Sequence, residues 1–95
     1  MIGRGIERQL KKTSKRLVSL RDELRVIDEQ LLQLRDEAAD AELRAIVSDT
    51  PGVGYEHRKA SEHAEAMASH RAHVVDEMAR LERRQDELLD QLGAG

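Results

Sequence analysis

Apolar side chains recur at spacings of four and three along two long stretches, and this period constrains the fold more than any other feature. In the first stretch the series is Ile6, Leu10, Thr13, Leu17, Leu20, Leu24, Ile27, Leu31, Leu34, Ala38, Ala41 and Ala45. In the second it is Ala60, Ala64, Met67, Arg71, Val74, Met78, Leu81, Gln85, Leu88 and Leu92. This spacing is typical of the a and d positions of coiled-coil helices. The sequence therefore predicts two long helices joined along one seam.

A single short segment, residues 48–54, separates the two stretches. Pro51 cannot continue a helix, whereas Gly52 and Gly54 tolerate positive φ. A short connection makes consecutive helices antiparallel neighbours. We predict an all-α fold, a long antiparallel two-helix coiled-coil hairpin in one domain. Its first helix covers about 5–48, its loop 49–54, and its second helix about 55–92.

Composition limits the classes of function. The chain has 95 residues, no cysteine and one aromatic residue, Tyr55, so it has no disulfide and no thiolate metal site. No apolar run approaches the roughly 18 residues of a transmembrane helix, and the start of the chain lacks the apolar core of a signal peptide. We expect a cytoplasmic protein without a membrane span and without a cofactor.

A second set of apolar residues lies beside the seam, on the e and b positions of both helices, with Leu43 next to them. In an antiparallel pair these positions lie on the same side. A stripe wider than the a and d positions indicates burial against more than one neighbour, and a lone helical hairpin is marginally stable. We predict that two copies dimerise through this face into a four-helix bundle; the alternative is docking on a partner protein. The predicted interface residues are Val18, Leu32, Ala39, Leu43, Ile46, Ala68, Ala72, Val75, Ala79 and Leu89.

Two residues near the loop are candidate contacts for a partner. Val53 and Tyr55 follow the Pro-Gly turn, and amphipathic aromatic residues are enriched at interface hot spots. The alternative is that Tyr55 packs on Ile46 or Val47 and closes the end of the hairpin.

A basic run near the start is a candidate anion contact. Arg4, Arg8, Lys11, Lys12 and Lys15 fall on outward b, c and f positions. They are suited to nucleic-acid phosphates or an anionic surface, although no aromatic residue accompanies them to stack on bases. The alternative is neutralisation within the hairpin by the acids of the other helix end, Asp86, Glu87 and Asp90.

Three histidines and an acid form a stripe on the opposite side: His63, His70, His73 and Glu77. With Glu37 across the seam they offer ligands for a divalent metal, but His63 is two turns from His70. We predict no metal site, and expect solvated histidines paired with glutamates. A further alternative is an assembly sensitive to pH.

Arg71 occupies an a position in the seam. We expect its stem to lie along the seam and its guanidinium to reach water. The alternative is an ion pair with Asp28 or Asp36 that fixes the register of the two helices.

The hairpin shape resembles the coiled-coil hairpins of Gre-type transcript cleavage factors, which carry paired acids at the tip. Here the acids near the turn are Asp49 and Glu56, at a different spacing, so no residue role is transferred. The sequence has no nucleophile-histidine-acid cluster and no phosphate-binding loop after a strand. We predict a non-catalytic interaction or regulatory module. The alternatives are an adaptor that docks on a partner such as transcription machinery, and a binder of anions through the basic end.

Overall fold

The computed structural model describes residues 2–48 and 52–94, apart from the side chains of Ile2 and Val53. It contains two helices, α1 (Ile2–Val47) and α2 (Val53–Ala94), packed as a hairpin. No strand occurs within these described ranges. The prediction of an all-α fold with two long helices in a hairpin is confirmed.

Both helices differ slightly from their predicted bounds. Helix α1 begins at Ile2 rather than near residue 5, and α2 ends at Ala94 rather than near 92. Gly3, Gly5 and Gly93 therefore lie inside helices. A helical glycine costs about 1 kcal/mol relative to alanine. The buried side chains of Ile6 and Leu88 lie close to these ends of the helices, and their packing offsets that cost.

The structure describes the residues on either side of the connection between the helices, Ser48 and Gly52. The amide of Ser48 donates to the carbonyl oxygen of Arg44 at 3.0 Å, and the amide of Glu56 donates to that of Gly52 at 3.1 Å. Gly52 has a φ of 94°, a conformation that glycine adopts without a steric penalty. The turn predicted at Pro51 lies outside the described residues, as does Asp49.

The predicted seam is the core of the molecule. Every seam position of α1 is buried or half-buried, and so is every seam position of α2 except Leu92. The buried hydrophobic residues all belong to it: Ile6, Leu17, Leu20, Ile27, Leu31, Ala41, Val74 and Leu88. The period of four and three thus identifies which side chains leave water.

The chain divides into two compact units. We call Met1–Leu24 with His73–Gly95 the terminal unit, and Arg25–Ala72 the loop unit. In the described part of the chain, no helix is long and apolar enough to cross a bilayer.

In the terminal unit the helices run antiparallel. As α1 advances from Gln9 to Arg16, the partner on α2 moves back from Arg84 to Glu77. The core contains Leu17, Leu20 and Leu88, which are fully buried. The polar seam residue Gln85 is satisfied because its Nε2 donates to the Ser14 hydroxyl at 3.1 Å.

In the loop unit the helices are also antiparallel, since the partner of Asp28 is Arg71 and the partner of Arg44 is Glu56. The buried hydrophobic residues of this unit are Ile27, Leu31 and Ala41. Much of the remaining seam is alanine and only half-buried: Ala38, Ala45, Ala60 and Ala64. Small side chains bury less apolar area than leucines, so this unit has a smaller core.

Candidate protein-interaction surface

The residues of the predicted interface, hereafter the e/b face, are mostly in water. Val18 is 63% exposed, Leu32 65% and Ile46 73%. Leu43, Val75, Leu89, Ala39 and Ala72 are also exposed, and Ala68 and Ala79 are half-buried. These side chains are therefore available for contact, and their role as an interface stays a prediction.

A charged pair lies beside the e/b face in the loop unit. Asp28, Leu31, Leu32, Arg35 and Arg71 line an open groove of about 400 Å³. Exposed apolar Leu32 is thus flanked by charged side chains. A hydrophobic centre with a polar rim is the usual organisation of a protein interface.

Arg71 forms the ion pair that the sequence left as an alternative. Its Nε donates to Asp28 Oδ1 at 2.6 Å, and the two side chains are 42% and 48% exposed. The expectation that its guanidinium reaches only water is therefore corrected, and the partner is Asp28 rather than Asp36. The hydrogen bond to Asp28, followed by the charge of that carboxylate, raises the pKa of Arg71.

Polar pairs join the g positions of the two helices, on the side away from the e/b face. In the terminal unit, Arg16 donates to both carboxylate oxygens of Glu77, at 3.2 and 3.0 Å. The hydrogen bond to Glu77 and then its charge raise the pKa of Arg16. In the loop unit, Arg44 lies 3.6 Å from Glu56. Because these groups satisfy one another within the chain, the g side is the less available of the two sides for a partner.

The histidine stripe is exposed. His63, His70 and His73 all lie at the surface, and no group of three potential ligands in the described residues is arranged to hold a metal ion. Both oxygens of Glu77 bind Arg16 instead. The expected pairing of Glu77 with a histidine is therefore replaced by an arginine pair.

A fourth histidine has a contact that the sequence pattern did not reveal. His57 is half-buried, and its Nδ1 donates to the carbonyl oxygen of Ala38 at 3.3 Å. Extending the series of four and three backwards from Ala60 reaches residue 57. The spacing alone therefore places His57 in the seam. It was not counted as a seam residue because its side chain is polar.

Tyr55 is exposed beside the connection. The Nζ of Lys59 lies 5.5 Å from the centre of its ring, a distance at which the cation is attracted to the ring. Ile46 and Val47 are 73% and 80% exposed, so Tyr55 does not bury them. The side chain of Val53 lies outside the described residues. Contact of a partner with either residue stays a prediction.

The basic run is at the surface of the terminal unit. Arg4, Arg8, Lys11, Lys12 and Lys15 are exposed, and none of them has an ion-pair partner among the described residues. The neutralisation by the acids of the other helix end is not found, because Glu87 pairs with Arg84 of its own helix at 3.2 Å. These acids also occupy outward b, c and f positions, so the two charged sets face away from the shared seam.

No protein-family model matches this sequence, and no curated protein or solved structure matches it at a significant level. What the molecule does is therefore inferred from its own surfaces.

Proposed function

We propose that this chain is a non-catalytic interaction module that self-associates through the e/b face, two copies forming a four-helix bundle. The observation that carries the proposal is in the loop unit, which exposes more large apolar side chains than it buries. Among the residues that the structure describes in this unit, the buried hydrophobic ones are Ile27, Leu31 and Ala41. The exposed large ones are Leu32, Leu43 and Ile46 on the e/b face, and Val26, Val47 and Tyr55 outside it.

The exposed apolar side chains of the e/b face are large enough for their burial to offset the free-energy cost of association. Fully burying one leucine or isoleucine contributes about 1.5–3 kcal/mol. Leu32, Leu43 and Ile46 are each more than 60% exposed, and a dimer covers them on both copies. Their combined contribution is comparable with the roughly 4–15 kcal/mol that association costs in lost motion.

The small residues of the e/b face favour a second helical hairpin as the partner. Ala39, Ala72 and the half-buried Ala68 and Ala79 lie among the larger apolar residues. Alternating large and small side chains allow helices to interdigitate at close range. A two-fold axis would place the same face on both sides of the interface.

Sedimentation equilibrium tests the proposal. We expect the wild type to be a dimer, and Leu32→Glu to be a monomer that keeps its helical circular dichroism, because the change replaces an apolar contact with a carboxylate whose desolvation is costly even beside Arg35. The matched control is Val26→Glu, the same kind of change on α1 at a c position away from the e/b face, and it should remain a dimer. A wild type that is folded and monomeric would overturn the proposal. Equal loss of the dimer in both variants would also reject the e/b face as the interface.

The second candidate is an adaptor that uses the same face to dock on another protein, such as transcription machinery. The same exposed residues support it, and a monomeric wild type would favour it. Cytoplasmic location and a regulatory role stay predictions from the sequence.

A further inference from the structure

We propose that the outer face of α1 in the terminal unit binds the surface of a membrane containing anionic lipids. The residues that form this cationic face are Arg4, Arg8, Lys11, Lys12 and Lys15. At 3.6 residues per turn these five positions lie within about 100° of the helix circumference, over a length of about 16 Å. Glu7 is the one acid in residues 4–18, and it lies at an e position beside this arc.

The five cations make no ion pair with the part of the chain that the structure describes. The next cation along the helix, Arg16, behaves differently, since its Nε and Nη2 both donate to Glu77. The cationic face therefore retains its charge for an external anion. Like charges at such spacings repel one another, and a bound anionic surface relieves that repulsion.

The surroundings of the lysines distinguish a lipid from other anions. Leu10, Lys11, Lys12, Ser14, Lys15 and Val18 line an open groove of about 770 Å³, and Val18 is 63% exposed. Lysine stems lie along apolar surface while their ammonium groups reach outward to phosphate. Cations around apolar side chains match the interface of a bilayer, where charged headgroups lie above hydrocarbon.

Nucleic acid fits this face less well. A phosphate backbone pairs with the cations but gains nothing from the exposed apolar side chain of Val18. The described helix offers no aromatic side chain here for stacking on bases. In addition, three of the five cations are lysines, which act as point charges and lack the bidentate fork of arginine.

The expected affinity follows from the number of cations. Each lysine or arginine near an anionic membrane strengthens binding about fivefold. Removing three lysines should therefore weaken binding about a hundredfold. The attraction is electrostatic, so rising salt concentration should also weaken it.

The experiment measures co-sedimentation with vesicles of equal parts phosphatidylserine and phosphatidylcholine. The wild type should bind these vesicles at low salt and should not bind vesicles of phosphatidylcholine alone. The triple variant Lys11→Gln/Lys12→Gln/Lys15→Gln should lose about a hundredfold in affinity. The matched control is Arg58→Gln/Arg80→Gln/Arg83→Gln, which changes the net charge equally at three exposed arginines outside the cationic face. It should bind like the wild type, and circular dichroism should show that both variants are folded.

Three outcomes would overturn the proposal. The first is a wild type that does not bind the phosphatidylserine vesicles. The second is an equal loss in both triple variants, which would show that net charge alone matters. The third is tighter binding to duplex DNA than to the vesicles at the same salt concentration, which would assign the face to nucleic acid. Arg8, Lys12 and Lys15 occupy c and f positions outside the e/b face, whereas Arg4, Lys11 and Val18 occupy b positions on the side of that face. Sedimentation equilibrium is therefore run on the triple lysine variant as well, and the vesicle affinities are compared only at the same oligomeric state.

Discussion

The terminal unit and the loop unit share one period but differ in the size of the side chains that occupy it. The terminal unit fully buries three leucines, Leu17, Leu20 and Leu88. The loop unit fills much of its seam with alanines that are half-buried. The comparison shows that the period determines how the helices pair, whereas side-chain volume determines how strongly each part is held.

In the loop unit, large apolar side chains lie on the surface, whereas alanines occupy much of the seam. Leu32 and Leu43 are exposed there, each by more than 60%. A sequence that served only to close a hairpin would place such residues in the seam and polar residues outside it. We infer that the terminal unit contributes most of the apolar packing between the two helices, and that the loop unit carries the larger share of the exposed large apolar side chains.

The largest expected effect comes from truncating the core of each unit. Leu20→Ala in the terminal unit should lower the free energy of unfolding by about 3 kcal/mol, because it leaves a cavity at a fully buried site. Leu34→Ala, at a half-buried seam position of the loop unit, should cost about 1 kcal/mol, since water and neighbours fill the space. Urea unfolding followed by circular dichroism at one protein concentration measures both. Equal losses would show that the two units are packed equally well.

An intermediate effect is expected from the glycine at the connection. Gly52 has a φ of 94°, and a Cβ added there would meet no atom within 4 Å. Gly52→Ala should therefore cost about 1 kcal/mol through backbone strain alone. Gly5→Ala in the terminal unit meets the same free space in a helical conformation, and should stabilise by about 0.5–1 kcal/mol. Thermal unfolding should show shifts of opposite sign. A loss of stability in Gly5→Ala would indicate that the terminal helix end tolerates no further side chain.

The sequence was sufficient for the parts of this fold that depend on local spacing. The seam follows from the recurrence of residues such as Leu17, Leu20 and Leu31, because burial on one side of a helix imposes that period. The heptad position favours Asp28, at an e position beside the seam, over Asp36, at an outward f position, but the formation of the ion pair with Arg71 does not follow from spacing alone. It depends on the exact register of two helices whose residues are far apart in the chain.

Charge contacts were predicted less well than apolar ones, for a physical reason. The basic residues near Lys12 and the acids near Glu87 come from ends of the chain that a hairpin brings together, which suggested that they neutralise each other. Their outward positions prevent this, and Glu87 binds Arg84 three residues away instead. Exposed charges pair with groups that lie close in space, such as Arg16 with Glu77 across the seam, because water and salt screen the attraction between outward-facing groups farther apart.

The smallest effect is expected from the exposed ion pairs, and it tests whether they contribute to the difference between the units. Arg71 and Asp28 pair in the loop unit, and Arg16 and Glu77 in the terminal unit, each with side chains between 35% and 48% exposed. Pairing raises the pKa of both arginines. A base with a raised pKa stabilises the fold at pH values below its unfolded pKa and loses that contribution as the pH rises through its folded pKa. For arginine this loss lies beyond the accessible alkaline range, because its ordinary pKa is already far on the alkaline side.

Replacing the arginine with lysine moves the loss of the ion pair's stabilising contribution to a pH at which unfolding can be measured. The ordinary pKa of lysine is about 10.4, so Arg71→Lys should match the wild type in the pH dependence of its unfolding free energy up to about pH 9 and become relatively less stable above about pH 10. Arg16→Lys should behave in the same way, with a change of similar size, because the two pairs are similarly exposed. Urea unfolding at a series of pH values, always as the difference from the wild type, cancels the titration of the other groups. A clearly larger alkaline loss in Arg16→Lys would mean that the terminal unit depends on its ion pair as well as on its leucines. Similar small losses in both would leave apolar packing as the cause of the difference between the two units.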